Sequence, residues 1–116
     1  MPDILKDLYE IVERRKAERE EGSYTVYLFD SGLDKILKKL GEETAETIIA
    51  AKNLQAALEG DTHDDGDAKE RREALNGETG DLIYHLVVML NELGIRPEEV
   101  EELLRERMKK TGNLKR

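Results

Sequence analysis

The sequence predicts an all-α fold of about four helices, in which two long helices form an antiparallel hairpin and a bundle-like core. Apolar residues recur at helical spacing through residues 33–58 and again through residues 69–93. Gly22, Gly94 and Pro97 separate the helical segments. Charged residues make up 40% of the chain and hydrophobic residues 38%, a balance typical of amphipathic helices with solvated outer faces.

Length, charge and composition exclude several classes of protein. We expect 116 residues to form one domain, residues 1–116, with a modest core. The net charge of −8 argues against binding to nucleic acid or to an anionic membrane. No cysteine is present, which excludes disulfides and thiolate metal sites. No apolar run approaches the ~20 residues of a membrane span, and the N-terminus lacks a signal-peptide pattern, so we expect a cytoplasmic protein.

Shorter helices are predicted at both ends of the chain. Pro2 and Asp3 suit the first turn of a helix, which we expect to run to Gly22 with a charged, solvated end. Pro97 suits the first turn of the last helix. Residues 23–32 favour extended backbone, but a lone strand would have no partner, so we interpret this segment as a loop packed onto the helices.

The first long helix, residues 33–58, carries acidic residues at the edge of its apolar stripe. Glu43 is in line with the core position Ile36, and Glu46 lies just beyond the stripe. An acid level with core residues needs a partner, because an unpaired buried charge is costly. Glu43 is therefore more informative than the neighbouring Glu42, which points to the far side of the helix.

The second long helix, residues 69–93, repeats this arrangement. Glu78 lies at the edge of its stripe, and Asp81 lies one step further out. Residues 60–67 between the two helices are polar, and we interpret them as an exposed loop, because they lack the spacing of a calcium-binding EF-hand. Residues 82–90 are apolar on nearly every face, which predicts packing against a second copy of the chain, in a homodimer.

The two acidic pairs predict a metal site if the long helices pack together. Glu43 and Glu46 share one side of the first helix, and Glu78 and Asp81 share one side of the second. Four carboxylates at short range cannot all stay ionised without compensation. A hard divalent cation, Mg²⁺ or its substitute Mn²⁺, accepts such all-oxygen ligands. The alternative is that these acids only solvate the helix surfaces.

Basic and polar residues near these acids allow two interpretations. Lys35 and Lys39 precede the first acidic pair and either form helix-surface ion pairs or bind a phosphate. The same alternatives hold for Lys52 and Asn53, which follow it. His85, one turn beyond the second pair, either supports a metal ligand, contacts a phosphate, or is an inert, hydrogen-bonded residue at a helix interface.

Glu-Glu-x-x-Glu at residues 42–46, followed by Glu-x-x-Asp at residues 78–81, resembles the signature of the all-α nucleoside-triphosphate pyrophosphohydrolases. Within that superfamily, which includes MazG-like enzymes and dimeric dUTPases, the pattern is most similar to the phosphoribosyl-ATP pyrophosphohydrolase family, over nearly the whole chain. The lysine run before the first motif and Tyr-His after the aspartate look specific to this family. The matching segments are residues 23–25, Gly32, residues 34–39, Gly41, Glu42, Glu43, Glu46, residues 50–53, Asp81, Leu82 and residues 84–86.

The resemblance implies hydrolysis of phosphoribosyl-ATP to phosphoribosyl-AMP and pyrophosphate, which is the second step of histidine biosynthesis. It implies Mg²⁺ ligands at Glu43, Glu46, Glu78 and Asp81. Glu43 and Glu46 would also be the catalytic carboxylates, and Glu42 would be a further acid of the motif. The residues implied to bind phosphate or substrate are Lys35, Lys39, Lys52, Asn53, Tyr24 and His85.

Two features depart from the family pattern. Glu46 and Glu78 are separated by 31 residues, more than the family usually has, and we interpret residues 60–67 as an insertion at the hairpin tip. Gly80 stands where the family carries a small, alanine-like residue, and glycine inside a helix costs about 1 kcal/mol relative to alanine. Two other functions stay open: a house-cleaning nucleoside triphosphate pyrophosphohydrolase of the same superfamily, and a non-catalytic helical interaction protein.

Overall fold

Five α-helices make up the regular secondary structure of the part of the chain that the computed structural model describes, which is residues 3–60 and 65–110. In chain order they are α1 (Ile4–Glu18), α2 (Tyr24–Ser31), α3 (Leu33–Glu59), α4 (Asp65–Glu92) and α5 (Pro97–Met108). No strand occurs within these residues, and no helix among them is long and apolar enough to cross a bilayer. The all-α prediction is confirmed, with five helices rather than about four.

Helix α2 occupies the segment that the sequence analysis interpreted as a loop, so that interpretation is wrong. Its first turn is capped, because the backbone N–H of Val26 donates to Ser23 Oγ at 3.3 Å. Thr25 and Leu28, three residues apart, are both buried. Gly32 has a φ of 91° and separates α2 from α3. Capping and burial on one face therefore outweigh the preference of single residues for extended backbone, which depends strongly on context.

Helix α1 ends earlier than predicted. The sequence analysis extended it to Gly22, but Arg19 already adopts a left-handed conformation with a φ of 52°. The backbone N–H of Arg19 donates to the carbonyl of Arg15 at 3.1 Å and closes the last turn. The predicted end at Gly22 is therefore wrong, because a non-glycine residue supplies the left-handed cap.

Helix α4 begins earlier than predicted but ends where the glycine stop was predicted. It starts at Asp65, so the last three residues of the predicted loop at 60–67 are helical, and that loop is shorter than expected. The remaining loop residues 61–64 lie outside the described residues. At the other end Gly94, with a φ of 73°, donates its N–H to the carbonyl of Asn91 at 3.1 Å, and this confirms the predicted glycine stop.

The chain divides into two compact units, which we call the hairpin unit (Ser31–Leu86) and the terminal unit (Met1–Asp30 with Val87–Arg116). Helix α4 contributes to both. In the hairpin unit, neighbouring residues of α3 and α4 run in opposite order. Glu43 is affected by the charge of Asp81, while Asn53, ten residues further along α3, lines a cavity with Arg71. The two long helices are therefore antiparallel, as predicted.

A buried asparagine holds the terminal unit together. Asn91 of α4 is only 5% exposed, and its amide donates to Glu13 Oε1 of α1 at 2.7 Å. Lys16 Nζ donates to the other side of the amide, Asn91 Oδ1, at 3.2 Å. The same ammonium lies 4.5 Å from the centre of the Phe29 ring of α2, a favourable cation–π distance. Both faces of the buried amide are thus satisfied, which avoids the cost of an unpaired polar group.

Candidate functional site

Three glutamates converge in the hairpin unit, and we call them the carboxylate cluster: Glu43 and Glu46 of α3 and Glu78 of α4. One oxygen from each side chain lies within 4.8 Å of the corresponding oxygens of the other two. Within the described residues, this is the one group of three or more acidic, histidine or cysteine side chains with such geometry. The spacing of three residues along α3 puts Glu43 and Glu46 on the same side, facing Glu78.

Two carboxylate oxygens of this cluster are buried without a hydrogen bond. They are Glu43 Oε2 and Glu78 Oε2, one from each helix. Glu46, in contrast, is exposed. Buried polar atoms in folded proteins are nearly always satisfied, so each exception requires an explanation. A cation between the two helices would provide a partner for both oxygens.

Burial and mutual repulsion raise the pKa values of two members of the carboxylate cluster. The pKa of Glu43 is raised first by loss of water around the carboxyl group and then by the charge of Glu46, while His85 acts in the opposite direction. The pKa of Glu78 is raised first by a hydrogen bond with Glu46, then by burial and by the neighbouring carboxylates. The cluster is therefore electrostatically strained when all its members are ionised.

The donor set of the carboxylate cluster fits a hard divalent cation. All of its donors are carboxylate oxygens, which Mg²⁺ and Mn²⁺ prefer over softer ligands. Two oxygens bound to the same Mg²⁺ lie about 3 to 4 Å apart in octahedral geometry. The observed separations, all within 4.8 Å, reach that range with small side-chain movements. A cation would also offset the repulsion that raises both pKa values.

Asp81 and His85 lie next to the carboxylate cluster without belonging to it. Asp81 is exposed and is not among the three converging acids, although its charge contributes to the raised pKa values of Glu43 and Glu78. His85 is 4% exposed, and its Nδ1 lies 2.7 Å from the backbone carbonyl of Asp81. A carbonyl only accepts, so Nδ1 carries the proton and donates it.

Thr47 fastens α3 to α4 at the level of the carboxylate cluster. Its hydroxyl oxygen lies 2.8 Å from the carbonyl of Glu43 in its own helix. The same oxygen lies 3.3 Å from the carbonyl of Glu78 in the opposite helix. The hydroxyl proton is therefore within hydrogen-bond distance of a carbonyl in each helix, with the shorter distance to Glu43. The sequence analysis did not identify Thr47. Thr44 and Thr79 also donate to the carbonyl four residues earlier in their own helices, so nothing in the sequence distinguishes the threonine that also reaches the opposite helix.

Two of the lysines predicted to bind phosphate, Lys39 and Lys52, have side-chain partners along α3. Lys39 forms an ion pair with Glu42 at 3.3 Å, so Glu42 faces a lysine instead of joining the carboxylate cluster. Lys52 donates a hydrogen bond to Gln55 and is exposed. Lys35 is partly buried. Exposed pairs of this kind are weak, and a ligand phosphate would displace them readily.

A cavity of about 210 Å³ adjoins the carboxylate cluster in the hairpin unit. Glu46 and Glu78 line it, together with the predicted Asn53 and with Arg71, which the sequence analysis did not single out. One signal in the sequence points to Arg71: it precedes Glu78 by the same seven residues by which Asn53 follows Glu46. On antiparallel helices, equal spacings of two turns place the four side chains at matching levels.

Tyr24 and Gly80 complete the list of residues that the sequence analysis singled out. Tyr24 belongs to the terminal unit, where it stacks with Tyr27 at 6.1 Å between ring centres. Gly80 lies within α4, and, apart from its chain neighbours and the nearby backbone of its own helix, no described atom lies within 4 Å of the position that a Cβ atom would take. Packing within the described residues therefore does not require glycine there.

Comparisons with known proteins agree on one family. The profile of the family described as phosphoribosyl-ATP pyrophosphohydrolase matches residues 5–108 of the chain. A protein of Pelotomaculum thermopropionicum named phosphoribosyl-ATP pyrophosphatase is 47% identical over 110 residues, which cover 94% of this chain and 96% of that protein. Proteins with the same name are 47% identical in Streptococcus thermophilus, over 96% of this chain and 91% of theirs, and 41% identical in Clostridium novyi, over 97% and 88%.

Proposed function

We propose, because the chain belongs to the phosphoribosyl-ATP pyrophosphohydrolase family, that it hydrolyses phosphoribosyl-ATP to phosphoribosyl-AMP and pyrophosphate. This reaction is the second step of histidine biosynthesis. Water adds across the phosphoanhydride bond between the α- and β-phosphates. The family profile runs through both the hairpin unit and the terminal unit, which supports treating residues 1–116 as one domain.

The observation that carries the proposal is the pair of buried, unpaired oxygens on Glu43 and Glu78. These two residues come from the two acidic motifs that resemble the family signature. A protein that only presents a helical surface to a partner gains nothing from placing such oxygens between its helices, because each one destabilises the fold. The cost is explained if the site binds a cation together with a phosphorylated substrate.

We propose that Glu43, Glu46 and Glu78 hold Mg²⁺, with Asp81 completing the site after a side-chain movement. Mn²⁺ would bind to the same oxygens. An ion held there would supply positive charge that offsets the charge of the polyphosphate. Glu46 is the exposed member of the carboxylate cluster, and we propose that its carboxylate accepts a hydrogen bond from the attacking water. His85 is held by its hydrogen bond to the backbone carbonyl of Asp81, and its charge opposes the rise in the pKa of Glu43.

Pyrophosphate release from phosphoribosyl-ATP, measured with Mg²⁺ and with EDTA, tests the activity and its metal dependence. We expect release with Mg²⁺ and loss of release with EDTA, because the unscreened carboxylate cluster repels phosphate. A parallel panel of nucleoside triphosphates tests for house-cleaning activity. A folded protein that hydrolysed one of them far better than phosphoribosyl-ATP would contradict the proposed substrate, and activity undiminished by EDTA would contradict the metal site.

We also propose a homodimer, supported by apolar side chains exposed on the single chain. In α3, Ile48, Ile49 and Leu58 are 59%, 60% and 59% exposed, and in α4 Ile83 is 37% exposed. Several such residues on adjacent helices are typical of a surface that a partner covers. The cytoplasm is the proposed location, since the substrate is built from ATP.

Replacing Ile48 with aspartate tests the dimer. We expect the wild-type protein to sediment with twice the mass of one chain, which is 13.3 kDa. The Ile48→Asp variant should sediment closer to the mass of one chain, because a charge in an apolar interface is costly. Asn76→Asp adds the same charge at an exposed polar position of α4 and should leave the dimer unchanged. A stable dimer with a Kd of about 1 μM would be almost fully associated at a protein concentration of about 100 μM. A wild-type protein that sediments as a monomer at that concentration would refute the proposal.

A further inference from the structure

The cavity beside the carboxylate cluster has two chemically different ends. Glu46 and Glu78 form the acidic end, where the proposed metal ion binds. Asn53 and Arg71 form the other end, with an amide from α3 and a guanidinium from α4. Between the two ends the helices contribute mostly small side chains. The cavity therefore has polar residues at both ends and mostly small side chains between them.

The helical spacing sets the distance between these two ends. Asn53 lies seven residues from Glu46 along α3, and Arg71 lies seven residues from Glu78 along α4. Seven residues correspond to about two turns, or roughly 10 Å of helix axis. Ala50 and Ala74 line the cavity between these levels and leave room for a ligand. A substrate with phosphates at the metal end would therefore extend towards the amide and the guanidinium.

Arg71 is the one cation among the residues that line this cavity. Its Nε lies 3.5 Å from Asp67 Oδ1, one turn earlier on α4, and both side chains are about half exposed. An exposed pair at this distance contributes little to stability. A guanidinium can instead donate two parallel hydrogen bonds to a phosphate. The side-chain amide of Asn53 can donate one more to the same phosphate. The pairing with Asp67 is thus replaceable by a ligand.

We propose that Arg71 and Asn53 bind a phosphate group of the substrate that extends beyond the metal site, and that Arg71 is a substrate-binding residue of this enzyme. The proposal rests on the proposed function, since it assigns a role at the same site. Phosphoribosyl-ATP carries phosphates on both sides of its base, in the triphosphate and on the second ribose. Phosphate is the chemistry common to both, and the experiment below distinguishes them.

Steady-state kinetics of Arg71→Ala tests this assignment, with Arg72→Ala as the matched control. Arg72 is the adjacent, exposed arginine and does not line the cavity. We expect Arg71→Ala to raise the KM for phosphoribosyl-ATP by about ten- to a hundredfold, the effect of losing a charged hydrogen bond. The KM of Arg71→Lys should lie between those of the wild type and Arg71→Ala, because the lysine ammonium keeps the positive charge but lacks the planar guanidinium. The control should stay within about twofold of the wild type.

Two further measurements separate a binding role from a structural one. The rise in melting temperature on adding Mg²⁺ alone should be the same in Arg71→Ala as in the wild type, because the carboxylate cluster is untouched. Asp67→Asn should leave the KM unchanged or lower it, because Arg71 then loses a competing partner. A KM that is unchanged in Arg71→Ala, or a lost response to Mg²⁺, would overturn the proposal. An inactive wild type would instead refute the proposed function.

Calorimetric titrations of the Mg²⁺-loaded proteins identify which phosphate is bound. If Arg71 binds the leaving group, inorganic pyrophosphate should bind about ten- to a hundredfold more weakly to Arg71→Ala than to Arg72→Ala. If it binds the phosphate of the second ribose, pyrophosphate binding should be equal in both variants, and ribose 5-phosphate should bind more weakly to Arg71→Ala. Equal binding of both probes to both variants would overturn the proposal.

Discussion

Replacing Glu43 with glutamine should lower the rate of pyrophosphate release by roughly 10²- to 10³-fold, while the metal-free protein becomes more stable. The loss follows because metal charge contributes several kcal/mol to phosphoryl chemistry, and each 1.36 kcal/mol corresponds to tenfold in rate. The gain in stability follows because burial and Glu46 make ionised Glu43 unfavourable in the fold. Kinetics and thermal unfolding without metal measure the two effects on the same variant.

The opposite signs of these two effects make Glu43→Gln diagnostic. A residue with a purely structural role would lose stability and activity together. Glu73→Gln provides a matched control, since Glu73 is an exposed acid of α4 outside the carboxylate cluster, and this variant should resemble the wild type in both measurements. A Glu43→Gln protein that kept its full rate of pyrophosphate release would remove Glu43 from the proposed site.

The metal-free protein should lose stability as the pH rises from about 4.5, the ordinary pKa of a glutamate, through the raised pKa values of Glu43 and Glu78. In this interval the folded state binds more protons than the unfolded state, so the free energy of unfolding falls with increasing pH. Below the interval both states are protonated and the penalty is absent. Thermal or urea unfolding in the presence of EDTA, as a function of pH, measures this slope.

Mg²⁺ should reverse this trend at neutral pH. A ligand that binds only the folded state adds about 2.7 kcal/mol to stability at 100 times its Kd, and its binding to carboxylates strengthens as protons leave. The Glu43→Gln variant should show a shallower slope than the wild type in EDTA, and Glu73→Gln should not. The net charge of −8 also disfavours the fold at high pH, and this comparison of variants cancels its contribution. Equal slopes in all three proteins would contradict the assigned pKa shifts.

Local patterns in the sequence predicted the helical framework well. The two long helices were expected at residues 33–58 and 69–93, and the structure has them at Leu33–Glu59 and Asp65–Glu92. Apolar periodicity over several turns is a strong signal, and Gly94 supplied a clear end to the second helix. Short segments carried weaker signals. Helix α2 has only eight residues, and its capping by Ser23 and its buried face were not recognised from residue preferences alone.

The candidate site was predictable in part for the same reason. The positions of Glu43 and Glu78 at the edges of apolar stripes indicated that both acids face the opposite helix, and both have a buried oxygen in the structure. Asp81 was expected beside them but is exposed. Its position on the helix was known from the sequence, whereas the distance across to α3 depends on how far apart the two helices lie. Side-chain contacts such as that of Thr47 with Glu78 decide that distance.

By itself, the sequence determined the all-α class, the pair of long helices and the two acidic motifs that they carry. These features depend on the order of residues within one helix, where spacing dictates which side chains share a face. Only the tertiary structure decided the register of α3 against α4. That register brings Glu43 and Glu46 to Glu78 and places Arg71 level with Asn53. It depends on packing between residues distant along the chain, which no local pattern encodes.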